Sequence, residues 1–250
     1  MPQPNILYIN SHDTGRLVQP YGYPVPTPRL QRFAEEGVVF RQAFCAAPTC
    51  SPSRAALVTG FYPHENGMLG LAHRGFALCD YSQHLASTLK AAGYYTALAG
   101  FQHVAADAAV IGYDARVAGE ASDGEDERVS HAAAEFLRGQ PRGPFYLEVG
   151  FMDTHREFPE PPDDDPRYVR PPDCFPDDER ARYDFACFMK SARRLDGNIA
   201  LVLDALEKSG RSSETLVICT TDHGAAFPRM KCNLTDGGIG VMLMMRGPGG

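Results

Sequence analysis

The sequence predicts an α/β protein whose central sheet is covered by helices on both faces. Apolar runs of strand length alternate along the chain with segments of helical period, and Gly- and Pro-containing turns separate them. The composition agrees: 44% hydrophobic and 22% charged residues over 250 positions suit a soluble globular domain able to bury a sizeable core.

The first run, Asn5 to Asn10, reads as a buried strand that ends directly in His12, Asp13, Thr14 and Gly15. A helix is expected from Thr27, whose hydroxyl can cap it, with Pro28 in its first turn, Leu30, Phe33 and Ala34 on its apolar face and Gly37 as its stop. Val38 to Phe40 reads as a short strand. After Cys50-Ser51-Pro52-Ser53-Arg54, the small run Ala55 to Thr59 is helix-compatible and stops at Gly60. Ser82 to Ala92 has a helical period through Leu85 and Leu89, Tyr94 to Ala99 is strand-like, Val129 to Leu137 is helical and Phe145 to Val149 is strand-like. The longest periodic segment is Ala181 to Glu207, with Phe188, Leu195, Ile199, Val202 and Leu206 at helical spacing. Leu216 to Thr220 and Val241 to Met245 are two further apolar runs. Between Arg156 and Arg180, seven prolines among aspartates exclude a regular core element, so this stretch is expected to be a surface excursion near the site.

Charge and cysteine usage narrow the function classes. A net charge of −7 with no basic run argues against a nucleic-acid partner. The opening MPQPNILYINSHD has no basic n-region and no apolar stretch of signal or membrane length, so a cytoplasmic protein with no membrane partner is expected from the sequence as it stands. Seven cysteines without a CxxC pair are expected to be mostly buried thiols in a reducing compartment.

Three polar clusters sit just beyond strand-like runs: His12-Asp13, Asp153-Thr154-His155 and Asp222-His223. In open α/β sheets ligands bind outside the carboxyl ends of strands, so these clusters can converge, although strand order is not readable from the sequence. Asp13 and Asp222 offer hard oxygen ligands, and His12 and His223 offer nitrogen, a set able to hold a divalent cation. Cys50, with Pro52 and Arg54 after it, permits two chemistries: a thiolate assisted by Arg54, or a target for covalent modification. The residues alone leave both open.

The segment Cys50-Ser51-Pro52-Ser53-Arg54, continued as Ala55-Ala56-Leu57-Val58-Thr59-Gly60, resembles the signature of the sulfatase family, in which the cysteine of C-x-P-x-R becomes formylglycine. Asn5-Ile6-Leu7 before His12-Asp13, Thr27-Pro28-Arg29-Leu30, Gly93-Tyr94 with His103, Thr154-His155, and Thr221-Asp222-His223-Gly224 followed by Phe227-Pro228 and Lys231 follow in family order. Within the family the chain looks similar to the sulfamidase branch and its bacterial relatives. The resemblance implies a mixed, mainly parallel sheet of the alkaline phosphatase superfamily and hydrolysis of a sulfate ester or sulfamate, possibly on a sugar. It implies one divalent metal, calcium as first choice, held by His12, Asp13, the modified Cys50, Asp222 and His223; the two imidazoles move the preference toward manganese, zinc or iron. It further implies that Arg54 holds the modified residue, that His103 and His155 contact the reacting group and move protons, and that Lys231 binds sulfate. His73 and Gln102 are expected substrate contacts, and a formylglycine-generating maturation enzyme is an expected transient partner. Residues 1–250 are expected to be the larger, N-terminal part of the catalytic domain, with a smaller C-terminal subdomain beyond.

The chain departs from the family pattern at three places. His12 stands where many relatives have a second Asp, and His223 where many have Asn. Phe101, in Gly100-Phe101-Gln102-His103, stands where relatives usually carry Lys, and it removes a cation that Gln102 is expected to replace in part by hydrogen bonding. These departures leave two rival readings: a phosphodiester or phosphonate monoester hydrolase with the same nucleophile, and an inactive metal- or sugar-binding relative.

Overall fold

A computed structural model describes residues 3–119, 124–141 and 143–249; Met1, Pro2 and Gly250, which belong to the terminal segments considered above, lie outside the described residues. The strands are β1 (Asn5–Ser11), β2 (Val38–Val39), β3 (Ala43–Phe44), β4 (Tyr95–Gly100), β5 (Ala115–Ala118), β6 (Phe145–Gly150), β7 (Thr215–Thr221), β8 (Gly240–Val241) and β9 (Leu243–Arg246). The helices are α1 (Pro28–Glu35), α2 (Cys50–Thr59), α3 (Pro63–Asn66), α4 (Leu85–Ala91), α5 (Asp126–Arg138), α6 (Glu179–Lys208) and α7 (Asp236–Ile239).

The main sheet has the order β2-β9-β7-β1-β6-β4-β5. Its members β7, β1, β6, β4 and β5 pair in parallel, whereas β9 runs antiparallel to β7 and β2 antiparallel to β9. The sheet is therefore mixed and mainly parallel, as expected. Alternation along β1 shows how both faces are covered. Leu7 and Ile9 join Phe33 of α1, Val129 and Leu137 of α5, and Leu195, Ile199 and Val202 of α6 in one core. Tyr8 faces the opposite layer, with Ala86 of α4 and Tyr146. Full burial of such Leu, Ile and Phe side chains contributes about 1.5–3 kcal/mol each.

Several boundaries differ from the periodicity reading for local reasons. Helix α2 begins at Cys50 itself, so the cysteine of the C-S-P-S-R segment is its first residue. The Thr27 hydroxyl does not cap α1; it accepts from the Gln19 N–H, and the Asp196 carboxylate of α6 takes the N–H groups of Arg29 at 3.0 Å and Leu30 at 2.8 Å. The segment expected as one helix from Ser82 is interrupted at His84, whose ring Nδ1 caps α4 by accepting from Ala86 N–H at 3.0 Å. The apolar run from Val241 divides between β8, which pairs with β3, and β9, which pairs with β7.

The proline-rich stretch folds back onto the first half of α6. Phe158 and Val169 bury against Phe185, Phe188 and Phe227, and Arg156 forms a bidentate pair with Asp184 while its Nε donates to Ala226 O at 2.8 Å. This clamp ties the segment after β6 to the segment after β7.

Candidate active site

The carboxyl ends of four adjacent strands, in the order β7, β1, β6 and β4, carry Asp222-His223, His12-Asp13, Asp153-Thr154-His155 and Phe101-Gln102-His103. Strand order thus supplies the convergence that the sequence left open. Backbone bonds lock the β1 and β6 ends together: His12 N–H donates to Asp153 O at 3.2 Å and Thr154 N–H donates to His12 O at 2.8 Å. Asp13 adopts φ +55°, a left-handed conformation costing about 1–3 kcal/mol for a non-glycine residue. At Gly224 a Cβ would lie 1.9 Å from Gly237 O, so only glycine fits beside His223.

His12, Asp13, Cys50, Asp222 and His223 present ligand atoms that all lie within 4.8 Å of one another, and all five residues are buried. Asp222 Oδ1 accepts the N–H groups of Asp13 and His223, both at 2.9 Å. Its Oδ2 receives Arg54 Nε at 3.0 Å, and Arg54 Nη2 donates to Ser11 O at 3.0 Å. Lys231 Nζ donates to Asp13 Oδ2 at 2.5 Å. His12 Nδ1 lies 2.7 Å from Asp13 Oδ1 and 3.4 Å from Asp222 Oδ2.

One contact tests whether these residues suit a cation. His223 Nδ1 lies 2.9 Å from Gly224 O, and a carbonyl only accepts, so this nitrogen carries the proton. Nε2 then faces Asp13 Oδ1, 3.2 Å away, and Cys50 Sγ, 3.5 Å away. A bond from the second nitrogen to a carbonyl is the usual way a ligating histidine is oriented, and here it turns Nε2 toward a carboxylate and a sulfur that are themselves metal-ligand types. The residues fit a divalent metal.

Burial works against the charge on Asp222, yet His223, His12 and Arg54 hold its carboxyl well below the usual range. Burial likewise opposes ionisation of Asp13, but His12 beside it prevails and lowers it to about 2. The Cys50 thiol is pushed up to about 12, by burial first and then by the Asp222 and Asp13 carboxylates. Arg54 is paired with Asp222, and its lowering effect on that thiol does not offset the burial and the carboxylates, which disfavours the Arg54-assisted thiolate left open by sequence.

The remaining expected site residues divide. His155 Nε2 is 4.0 Å from Asp13 Oδ2, and its ring meets that of His12 edge-on at 4.5 Å. His103 adopts φ +55° and shares a 2.8 Å hydrogen bond with His73. The Nδ1 atoms of both His103 and His155 are buried without a hydrogen-bond partner. Burial, then Arg54 and His12, push His103 down to about 3. Gln102 Oε1 accepts from Val104 and Ala105 N–H and its Nε2 donates to Ala105 O, bonds that organise its own turn. The Asp153 side chain also turns away, toward Ser191 at 2.8 Å. Sequence periodicity gave no signal for Asp126, whose carboxylate holds the turn before His155 through the N–H groups of Met152 and Asp153 at 2.9 and 2.7 Å.

The Sulfatase family model matches residues 4–250. The chain belongs to the sulfatase family. It is 32% identical to human N-sulphoglucosamine sulphohydrolase over 256 residues, covering 90% of this chain and 51% of that protein. With the ulvan-active sulfatase of Formosa agariphila it shares 24% identity, covering 98% of this chain and 48% of the relative. It therefore spans about half the length of these curated relatives. Two solved structures share the fold: a 2-O GAG sulfatase, with TM-score 0.74, 22% identity and coverage of 98% and 64%, and the phosphonate monoester hydrolase of Agrobacterium radiobacter, with TM-score 0.73, 20% identity and coverage of 99% and 68%. For a sulfatase-family chain, the five-residue cluster is consistent with a formylglycine-dependent, metal-assisted site.

Proposed function

We propose that this chain is the larger catalytic part of a hydrolase that cleaves sulfate esters or sulfamates on a saccharide, through a formylglycine made from Cys50. The observation that carries this reading is the position of Cys50: first residue of α2, in a C-S-P-S-R context, inside a buried cluster of two carboxylates and two imidazoles. Similarity over 90% of the chain to an N-sulphoglucosamine sulphohydrolase supports a sulfated amino sugar as the substrate class.

The modified residue works as a hydrated aldehyde. One hydroxyl attacks sulfur and expels the alcohol or amine; loss of a proton from the other then releases sulfate and restores the aldehyde. Asp13, Asp222, His12 and His223 would hold a divalent ion, which would supply positive charge to the anionic oxygens in the site. Two imidazoles beside two carboxylates would favour manganese, iron or zinc over calcium. Arg54 fixes Asp222, and Lys231 binds a sulfate oxygen while balancing Asp13. His155 and His103, each with an unpartnered buried Nδ1, exchange protons with the nucleophile and the leaving group. His73 orients His103 through their mutual hydrogen bond.

The test couples two measurements on protein coexpressed with a formylglycine-generating enzyme. The peptide containing Cys50 should be lighter by about 18 Da, and kcat/KM should be higher for a sulfate ester or sulfamate than for a phosphodiester. An unmodified thiol after such coexpression would sink the mechanism. The imidazole-bearing metal set favours one rival, a phosphonate monoester or phosphodiester hydrolase, and a higher kcat/KM on those substrates would establish it.

A further inference from the structure

Two imidazoles stand end to end beyond the carboxyl end of β4. His73 Nδ1 and His103 Nε2 are 2.8 Å apart, the ring planes lie within 8° of one another and the centroids are 5.1 Å apart. Rings in such contact reach that separation only when the two nitrogens lie on the line between them, so the hydrogen bond is close to linear and runs in both ring planes. The pair also spans two environments. His103 Nδ1 is buried without a hydrogen-bond partner, whereas His73 is exposed. Backbone contacts fix both ends. His103 stands in the left-handed conformation on the turn that Gln102 holds through Val104 and Ala105 N–H. On the other side, Ala72 N–H donates to Ser51 Oγ at 3.0 Å, which ties the segment carrying His73 to the first turn of α2, next to Cys50.

A neutral imidazole carries hydrogen on one nitrogen and a lone pair on the other. With the shared hydrogen on His103 Nε2, His103 Nδ1 presents a lone pair in the interior and His73 presents Nε2–H to solvent. With the shared hydrogen on His73 Nδ1, His103 Nδ1 carries hydrogen and His73 Nε2 is bare. Burial opposes charge on His103, so a ring that gains a proton at Nδ1 gives one up at Nε2. We propose that His73 and His103 form a two-imidazole relay between the reaction and solvent, in which His103 exchanges protons with the reacting groups and His73 exchanges them with water. This rests on the hydrolytic reaction proposed above. When the attacking hydroxyl loses its proton, the O–H bond breaks and N–H forms at His103 Nδ1. The Nε2 proton of His103 passes to His73 Nδ1, and the Nε2 proton of His73 passes to water. The reverse sequence delivers a proton from His103 Nδ1 to the departing alcohol or amine and restores the first arrangement. Both rings are neutral at the end of each step, and His73 carries protons as well as orienting His103.

His73→Gln keeps a hydrogen-bonding side chain that does not pass a proton along. In enzyme coexpressed with a formylglycine-generating enzyme and supplied with metal, this variant is expected to lower kcat about tenfold or more while KM stays within about twofold. Its solvent deuterium isotope effect on kcat should rise. Added imidazole, at concentrations that leave the unmutated enzyme unaffected, should restore about half of the lost rate or more. A kcat within about threefold of the unmutated value would overturn the relay. A loss that imidazole leaves unrepaired would make His73 a positioning residue only, and would overturn it as well. A readout without turnover uses the metal-free chain with ¹⁵N-labelled histidine. His73 Nδ1 and His103 Nε2 should show a ¹⁵N–¹⁵N coupling across the shared hydrogen, and its absence from the unmutated chain would overturn the proposal. If the unmutated, formylglycine-bearing enzyme turns over no sulfate ester, sulfamate or phosphoester, the proposed function falls and the relay with it; turnover together with an unaffected His73→Gln would sink the relay alone.

Discussion

At the scale of single residues, Arg54 shows why charge alone does not define a role. Its guanidinium reaches Asp222 Oδ2 and Ser11 O at once, a fork that an ammonium cannot reproduce. Arg54→Lys should leave the fold intact by circular dichroism yet lower kcat/KM by about 10²–10³, the scale of a lost preorganised charge contact. Activity within fivefold of the unmutated enzyme would show that the fork is dispensable. A second residue carries a pH dependence away from the metal cluster. His84 is buried and caps α4 with a neutral ring nitrogen, and burial lowers it to about 4. Its folded value lies below the unfolded value of about 6.5, so its stabilisation is fully present above pH 6.5 and is lost as pH falls toward 4. The difference amounts to about 3 kcal/mol at most. His84→Asn keeps a capping acceptor without the titration and should flatten the fall in denaturation free energy between pH 6.5 and 4. An unchanged slope would place that pH dependence elsewhere. The convergent residues at 12, 13, 50 and 222, with Arg54 beside them, were legible as residue types at motif spacing, whereas the bonds of Gln102 to Val104 and Ala105 were not, because those partners are backbone groups with no side-chain signature.

At the scale of elements, helix and strand identities were legible wherever burial follows a single period. The long α6 was readable because its apolar stripe continues through Leu195, Ile199, Val202 and Leu206 into one core. Boundaries set by tertiary contact were not. Thr27 carries the right side chain for an N-cap, but the structure gives that task to Asp196, far away in sequence and adjacent only once α1 packs on α6. Asp196→Ala should therefore cost about 1–3 kcal/mol in urea unfolding, because two buried N–H groups lose their acceptor. Thr27→Val should cost less, and the reverse order would reject the cross-element cap. The division between β8 and β9 was hidden for a related reason. One continuous apolar run serves two sheets, and periodicity does not reveal partners.

At the scale of the whole molecule, the site is a product of strand order. Asp13 and Asp222 are 209 positions apart and meet because β1 pairs with β7 along its full length. Neither strand contains information about that pairing that a single sequence exposes. Metal binding should therefore report on the fold as a whole: at a free Mn²⁺ concentration about 100 times Kd the gain is about 2.7 kcal/mol, which for a chain of this size raises the melting temperature by roughly 5–10 °C. A chelator should reverse the shift, and a melting curve indifferent to both would exclude a preformed site. The long span of the β1–β7 pairing also sets a clock. Cys50 is 4% exposed once folded, so a modifying enzyme has access to it only before the sheet closes. At about 5–20 residues per second, roughly 10–30 s of translation separate residue 50 from the end of β7. For a Cys50 converted to formylglycine, as proposed above, maturation and folding would compete for that interval. Chains already folded should resist conversion in vitro, and slower translation through the middle of the gene should raise the fraction of molecules that carry the aldehyde.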